Sequence, residues 1–235
     1  MFYAALGDSM SIDDYSGGPG HGAASLLYRN RDADFPAWAG RDLATRHPGI
    51  GFVPLARDGA TSADLLAYQL PNLPGGDLAL ARVTIGGNDL LRRYGDSAAA
   101  RAELDDVTGR THAVLAALRA RLGDGPLLVG TVYDPSDGTG EVPGSGLDPW
   151  PGGPAVIGEY NTALAGVAAA HGATVVDLRA AFHGHGVTAG DPSGPEPRPA
   201  DPALWYCGVV EPNAFGAHAI RSAWWRSLGV SPDAG

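Results

Sequence analysis

Four polar positions stand where short apolar runs give way to turns. They are Ser9 in "LGDSM", Gly59 in "RDGATS", Asn88 in "IGGNDLL" and Glu211 in "GVVEPNAFGAH". The residue types are those of nucleophilic catalysis: a hydroxyl that can attack, N–H groups that can hold a developing anion, and a carboxylate that can accept a proton. Each has an ordinary reading too. A serine after a strand is more often a helix cap than a nucleophile, Gly59 suits a turn of positive φ, and Asn88 or Asp89 suits a capped tight turn. What resists the ordinary readings is that all four occur together, each at the end of an apolar run.

Such residues need a scaffold that brings distant strand ends side by side. Short apolar runs alternate here with longer segments of helical spacing, the pattern of an α/β protein with a parallel sheet. Strands are expected over 2–6, 50–56, 78–89 (closing on a Gly-Gly turn), 126–134 and 173–179. Helices are expected over 35–47, 61–70, 97–122, 155–172 and 213–228. The helix at 61–70 opens on Thr61-Ser62, a capping pair. Long loops at 134–154 and 183–204 follow the fourth and fifth strands. Ligands of open parallel sheets bind beyond the carboxyl ends of the strands, so both loops are expected to border the site; surface insertion is the alternative. Trp150, Trp205 and Tyr206, in or beside those loops, are candidate pocket residues, whereas Trp224-Trp225 reads as packing on the last helix.

The 235 residues suffice for one sizeable core, expected as a single domain over 1–235. With 35 glycines and 19 prolines the chain is loop-rich, yet it is 44% hydrophobic, as globular proteins are. Sixteen basic against 26 acidic residues give a net charge of −10, and no basic patch interrupts it. Nucleic acid and anionic membrane are therefore excluded as expected partners, which leaves a small-molecule substrate. Cys207 is the single cysteine, so no internal disulfide or multi-cysteine zinc site can form, and no metal or other cofactor is expected. The opening "MFYAALGDSM" lacks the basic and apolar regions of a signal peptide, and no run approaches the ~20 apolar residues of a membrane span. A cytoplasmic location is the expectation, and the oligomeric state is left open.

In chain order, "GDSM", "DGATS", "GGND" and "EPNAFG" resemble the four blocks of the SGNH/GDSL hydrolase superfamily, over a span from residue 7 to the last helix. The resemblance implies a three-layer α/β/α fold with a flavodoxin-like parallel sheet of about five strands, and hydrolysis of an ester or O-acyl group. It implies Ser9 as nucleophile, with the backbone N–H groups of Ser9 and Gly59 and the Asn88 side chain as an oxyanion hole. Losing one such donor typically costs ~2.7–4 kcal/mol of transition-state stabilisation. Asp8, Gly87, Asp89 and Asp13 are the expected substrate contacts; for Asp13 a solvated acidic turn is equally open.

The fourth block departs from the family. Its pattern Asp-x-x-His-Pro-Asn aligns with Gly208-Val209-Val210-Glu211-Pro212-Asn213, so both the histidine base and its orienting acid are missing. "GDSMSIDDY" and "GAASLLYRN" also resemble stretches of a bacterial subgroup whose fourth block carries Glu-Pro-Asn. Three readings stay open. Glu211 is the base, a weaker one than histidine by about two units, or ~3 kcal/mol of proton affinity. Alternatively another histidine stands in, from His21, His183 or His185; His218, about two helical turns past Glu211, is expected to point away from Ser9. Or the site binds a small polar or glycosidic ligand without hydrolysing it.

Overall fold

Period-two alternation along the strands gives the molecule its layers. The computed structural model describes residues 1–194 and 197–229; Pro195 and Glu196, within the 183–204 loop, and 230–235 lie outside the described residues. Five strands, β1 (Phe2–Gly7), β2 (Gly51–Pro54), β3 (Leu78–Thr84), β4 (Leu127–Gly130) and β5 (Thr174–Val176), form a parallel sheet in the order β2-β1-β3-β4-β5. Eight α-helical segments accompany it: α1 (Ala23–Tyr28), α2 (Leu43–Arg46), α3 (Ser62–Asp64), α4 (Gly87–Leu91), α5 (Ser97–Leu122), α6 (Gly153–Ala170), α7 (Leu178–Phe182) and α8 (Ala214–Ser227). Leu6, Val83 and Val129 pack with α5 and α6 on one face. Tyr3, Leu80 and Leu128 pack with α1 and α8 on the other. This is the expected three-layer α/β/α fold with the flavodoxin-like strand order. Among the described residues, no helix is long and apolar enough to cross a membrane.

The element boundaries expected from spacing differ from the observed ones for local reasons. The 35–47 segment is not one helix: a 3-10 turn at Pro36–Trp38 is followed by Gly40 at φ +74°, and Asp42 then caps the short α2 by accepting from Thr45 N at 2.8 Å. β3 ends at Thr84 rather than running to residue 89, because Gly86 turns left-handed, φ +99°, to start α4. β4 stops at Gly130, after which the Asn161 side chain takes the place of a neighbouring strand. Its Oδ1 accepts from Val132 N and its Nδ2 donates to Val132 O, both at 2.8 Å. β5 is cut short by Asp177, which caps α7. Periodicity missed α1 and α7, both shorter than two full turns.

The two long loops are tied to each other by a buried carboxylate. Asp137, at φ 49° the one non-glycine in positive φ among the described residues, accepts from Gly184 N at 2.9 Å, Gly186 N at 3.0 Å, Thr188 N at 2.9 Å and Thr188 Oγ1 at 2.7 Å. Those donors all lie at the start of the 183–204 loop, so the clamp fixes the 134–154 loop against it. Removing the carboxylate strands several buried donors, each costing ~1–3 kcal/mol. Asp137→Ala is expected to lower the unfolding free energy by about 3 kcal/mol or more, read by urea denaturation; a loss below about 1 kcal/mol would show that the loops are held elsewhere.

Candidate functional site

The strand order creates the site's position. β1 pairs with β2 on one side and β3 on the other, so the chain leaves β1 and β3 at the point where the winding direction reverses, where a crevice opens beyond the sheet. Ser9 follows β1 and Asn88 follows β3, and Gly7 is in register with Thr84 at the ends of the two strands. Gly7, at φ +130°, has no room for a side chain: a Cβ would run into the Thr84 carbonyl and hydroxyl. Gln69 holds both polar groups of Gly7, accepting from its N and donating to its O at 2.8 Å each. The turn carrying the hydroxyl is therefore pinned from two sides before Ser9 is reached.

Asp8 is the second anchor. Its Oδ1 accepts from Thr84 Oγ1 at 2.9 Å and from Met10 N at 3.2 Å, capping the single 3-10 turn Ser9–Ser11. Thr84 Oγ1 also meets Ser11 Oγ at 2.8 Å. Asp8 is buried, and burial pushes its carboxyl up to about 7, despite the hydrogen bonds from Thr84 and Met10 that favour the charge.

Ser9, Asp8, Gly87 and Asn88 line one cleft, open to solvent. Its far wall comes from the 134–154 loop, including Ser136 and Trp150, and from the start of α6. Asn88 donates one amide hydrogen to Ala60 O at 3.0 Å, and the second has no partner among the described residues. Through that bond the loop carrying Gly59 is drawn to Asn88, and Arg57 N→Gly7 O at 3.0 Å ties it to the end of β1. Gly59 itself is exposed, at φ +67°, and does not line the cleft.

Two expected substrate contacts do other work. The Asp89 carboxylate accepts from Ser62 N at 2.9 Å and Ser62 Oγ at 2.7 Å, with Arg110 beside it at 3.6 Å, so it fastens α4 to α3 and lies outside the cleft lining. Asp13 accepts from Gly20 N and Gly22 N at 2.8 Å each, closing the glycine-rich loop on itself. A carboxylate committed to backbone N–H groups has little left for a ligand.

Glu211 lies on a two-stranded antiparallel ribbon, β6 (Tyr206–Cys207) with β7 (Glu211–Pro212), and β7 packs against the Ser9–Ser11 turn. Val209 and Val210 line the cleft; Glu211 follows them without lining it. Its Oε2 accepts from Val210 N at 3.3 Å, and among the described residues no hydrogen bond joins Ser9 Oγ to a carboxylate or imidazole. The Glu211 charge adds to the raised proton affinity of its neighbours. Tyr15 is pushed up to about 12, chiefly by donating to Asp58 at 2.9 Å, and Cys207 is pushed up chiefly by burial. A Cβ on Gly208, at φ +59°, would meet Glu211 Oε2 at 2.9 Å. A family-type aspartate at 208 would have to displace the Glu211 carboxylate and adopt a positive φ that side chains rarely take.

No histidine lines the cleft among the described residues. His21 is bound to Gly18 O and Asp34, and His185 is stacked on Trp205 at 3.5 Å. His183 lies beside Gly138. His218 stacks on Phe35 at 4.6 Å and accepts from Arg221 at 2.7 Å, facing away as its spacing implied. Of the two long loops, 134–154 borders the cleft, while the described part of 183–204 contributes no lining residue and supports the first from behind. Trp150 is a pocket residue, but Trp205 faces a separate surface hollow and Tyr206 is core. Sequence reasoning missed Gln69 and Thr84; their one signal was a polar residue inside an otherwise apolar run. Among the described residues, no group of three or more His, Cys, Asp or Glu side chains could hold a metal ion.

The raised Asp8 carboxyl makes folding pH-dependent. Its folded value lies above the unfolded one, so its contribution to stability is complete below about pH 4 and is lost as pH rises through about 7. Asp8→Asn keeps the acceptor without the charge. Relative to wild type, that variant is expected to gain up to about 4 kcal/mol of stability between pH 4 and pH 8, read by denaturant unfolding at each pH; parallel pH profiles would contradict the burial argument.

Comparison with known proteins agrees with this architecture. Residues 5–218 match the GDSL-like Lipase/Acylhydrolase family. No curated protein sequence matches the chain. Among solved structures, an extracellular lipase from Streptomyces rimosus is 24% identical, with a TM-score of 0.59 over 97% of this chain and 98% of that one. An acetylxylan esterase from Geobacillus stearothermophilus is 18% identical, with a TM-score of 0.65 over 97% and 94%. A phospholipase A1 from Streptomyces albidoflavus is 22% identical, with a TM-score of 0.58 over 97% of each chain. At these identities the likeness is one of fold, whereas the family match spans the strand ends at Ser9, Asn88 and Glu211: the chain belongs to the GDSL-like lipase/acylhydrolase family.

Proposed function

We propose that this hydrolase cleaves an ester or O-acyl bond by covalent catalysis at Ser9. The observation that carries the reading is that Ser9 and Asn88, 79 positions apart in sequence, line one cleft at the switch point of the sheet. In this reading Ser9 Oγ attacks the acyl carbon, and the oxyanion is held by Ser9 N and the second amide hydrogen of Asn88. Glu211 takes the serine proton and delivers it to the leaving alcohol; water then attacks the acyl-enzyme and releases the acid. The packing of β7 on the Ser9–Ser11 turn supports Glu211 in this role, as does the absence of histidines from the described cleft lining. A small-molecule ester is the substrate in this reading, and neither metal nor cofactor is required by these steps.

One observation favours a second reading. The Glu211 carboxylate rests on Val210 N, not on Ser9, as it would in a relative that binds a hydroxylated ligand without cleaving it. The two readings separate on labelling. A fluorophosphonate is expected to label Ser9, and Ser9→Ala to abolish both labelling and ester turnover. No labelling together with no turnover would leave the binding reading.

General bases contribute about 10²–10⁴-fold, so Glu211→Gln is expected to lower kcat by at least about 100-fold; unchanged turnover would remove Glu211 from the mechanism. Gly208→Asp with Glu211→His is expected to raise esterase activity above wild type, since histidine is the stronger base and the shorter ring relieves the crowding at 208. Gly208→Asp alone is expected to be impaired by that crowding.

A further inference from the structure

The chemistry of the cleft is divided along its length. Asp8, Ser9 and Asn88 gather where β1 and β3 end, the two other polar lining residues with a short side chain, Asp134 and Ser136, are bonded to each other, and most of the remaining lining is apolar. α4 sets the direction. Asn88, Leu91 and Tyr94 are three residues apart and share a face, all three line the cleft, and the chain continues past α4 in tight turns, with Arg93 N→Leu90 O at 2.9 Å and Tyr94 N→Leu91 O at 3.1 Å. Three residues at ~1.5 Å within α4 and three at ~2 Å in the turns after it carry this face about 10 Å beyond the Asn88 amide. Val142, Leu147 and Ile157 line the same cleft.

At the Tyr94 end of this face two lining rings pack on each other. The Tyr94 and Trp150 rings meet edge to face with centroids 5.2 Å apart. Trp150 Nε1 donates to Ser97 Oγ at 2.7 Å, and Tyr94 OH donates to Asp148 O at 2.8 Å, so neither indole nor phenol hangs free. Gly153 lets the indole lie against the first turn of α6: a Cβ there would sit 2.9 Å from Trp150 Cε3. Trp150 is buried, and its loop is anchored by the Asp137 clamp.

We propose that the cleft selects an unbranched acyl chain of medium length, about eight carbons, laid from Ser9 along the Leu91 face and stopped by the Tyr94–Trp150 pair. This rests on the serine-hydrolase reading and adds the acyl group to it. An acetyl group would leave the apolar stretch unfilled. Each methylene buried there contributes about four-fold in binding, whereas a chain much longer than the wall must either push the ring pair apart or leave its end in water.

The test is kcat/KM over p-nitrophenyl esters from acetyl to hexadecanoyl. The expected profile rises at least 100-fold from acetyl to octanoyl and falls beyond about decanoyl. Trp150→Ala is expected to move the optimum to dodecanoyl or longer, and Ile157→Phe, which fills the trough, to move it to butanoyl; the second variant carries the test if the first does not fold. An acetyl ester as good as octanoyl, with turnover that still requires Ser9, would overturn the acyl assignment and leave the hydrolase reading intact. If no ester is turned over, the assignment is read instead from octanoate binding by tryptophan fluorescence. Octanoate binding at least 10-fold tighter than acetate, and weakened by Ile157→Phe, supports it; equal affinities overturn it.

Discussion

Everything at the candidate site depends on the close approach of β1 and β3 at Gly7 and Thr84. A glycine at positive φ lets the two strand ends touch, and Thr84 then works on both sides of the contact. Its hydroxyl bonds Asp8 and Ser11, while Gln69 satisfies Gly7 from the opposite side. The turn that displays Ser9 is thus built from buried polar groups that satisfy one another. Such networks specify one geometry because any unmatched member would be costly in a dry interior.

The same dryness shapes the acids around the cleft. Asp8 is held at the border of ionisation because burial outweighs its two hydrogen bonds. Asp89 and Asp13, which look equally available in sequence, are absorbed by neighbouring N–H and hydroxyl donors and serve the backbone. Glu211 differs from all three. It sits at the end of a small ribbon packed on the Ser9 turn, with one backbone donor and with Tyr15 and Cys207 feeling its charge. The glycine at 208 goes with this arrangement, since a side chain there would press on the carboxylate.

The long loops form a hierarchy rather than a pair of flaps. The 134–154 loop makes the far wall of the cleft, and the 183–204 loop holds it there by presenting backbone donors to Asp137. Among the described residues no cation pairs with this carboxylate, and its burial is tolerable because each oxygen meets N–H or O–H donors directly. The position of the wall therefore depends on residues that do not line the cleft.

Alternation of apolar runs and helical spacing determined the α/β class by itself, since period two and period 3.6 are properties of local chain geometry. The strand ends at Ser9, Gly59 and Asn88 were legible for the same reason, and their blocks pointed to the family. Short elements such as α1 and α7, and the break at Gly40, were not legible, because fewer than two turns leave no measurable period. The choice among carboxylates was likewise decided in three dimensions. Asp8, Asp13, Asp89 and Glu211 are alike as letters, and what separates them is which donors the fold brings to each. The setting aside of the histidines, the turning of Trp150 inward and Trp205 outward, and the support of one loop by another all depend on contacts between segments far apart in sequence. Local physics names the elements; only the packed interior, where each polar group must find its partner, assigns the side chains their work.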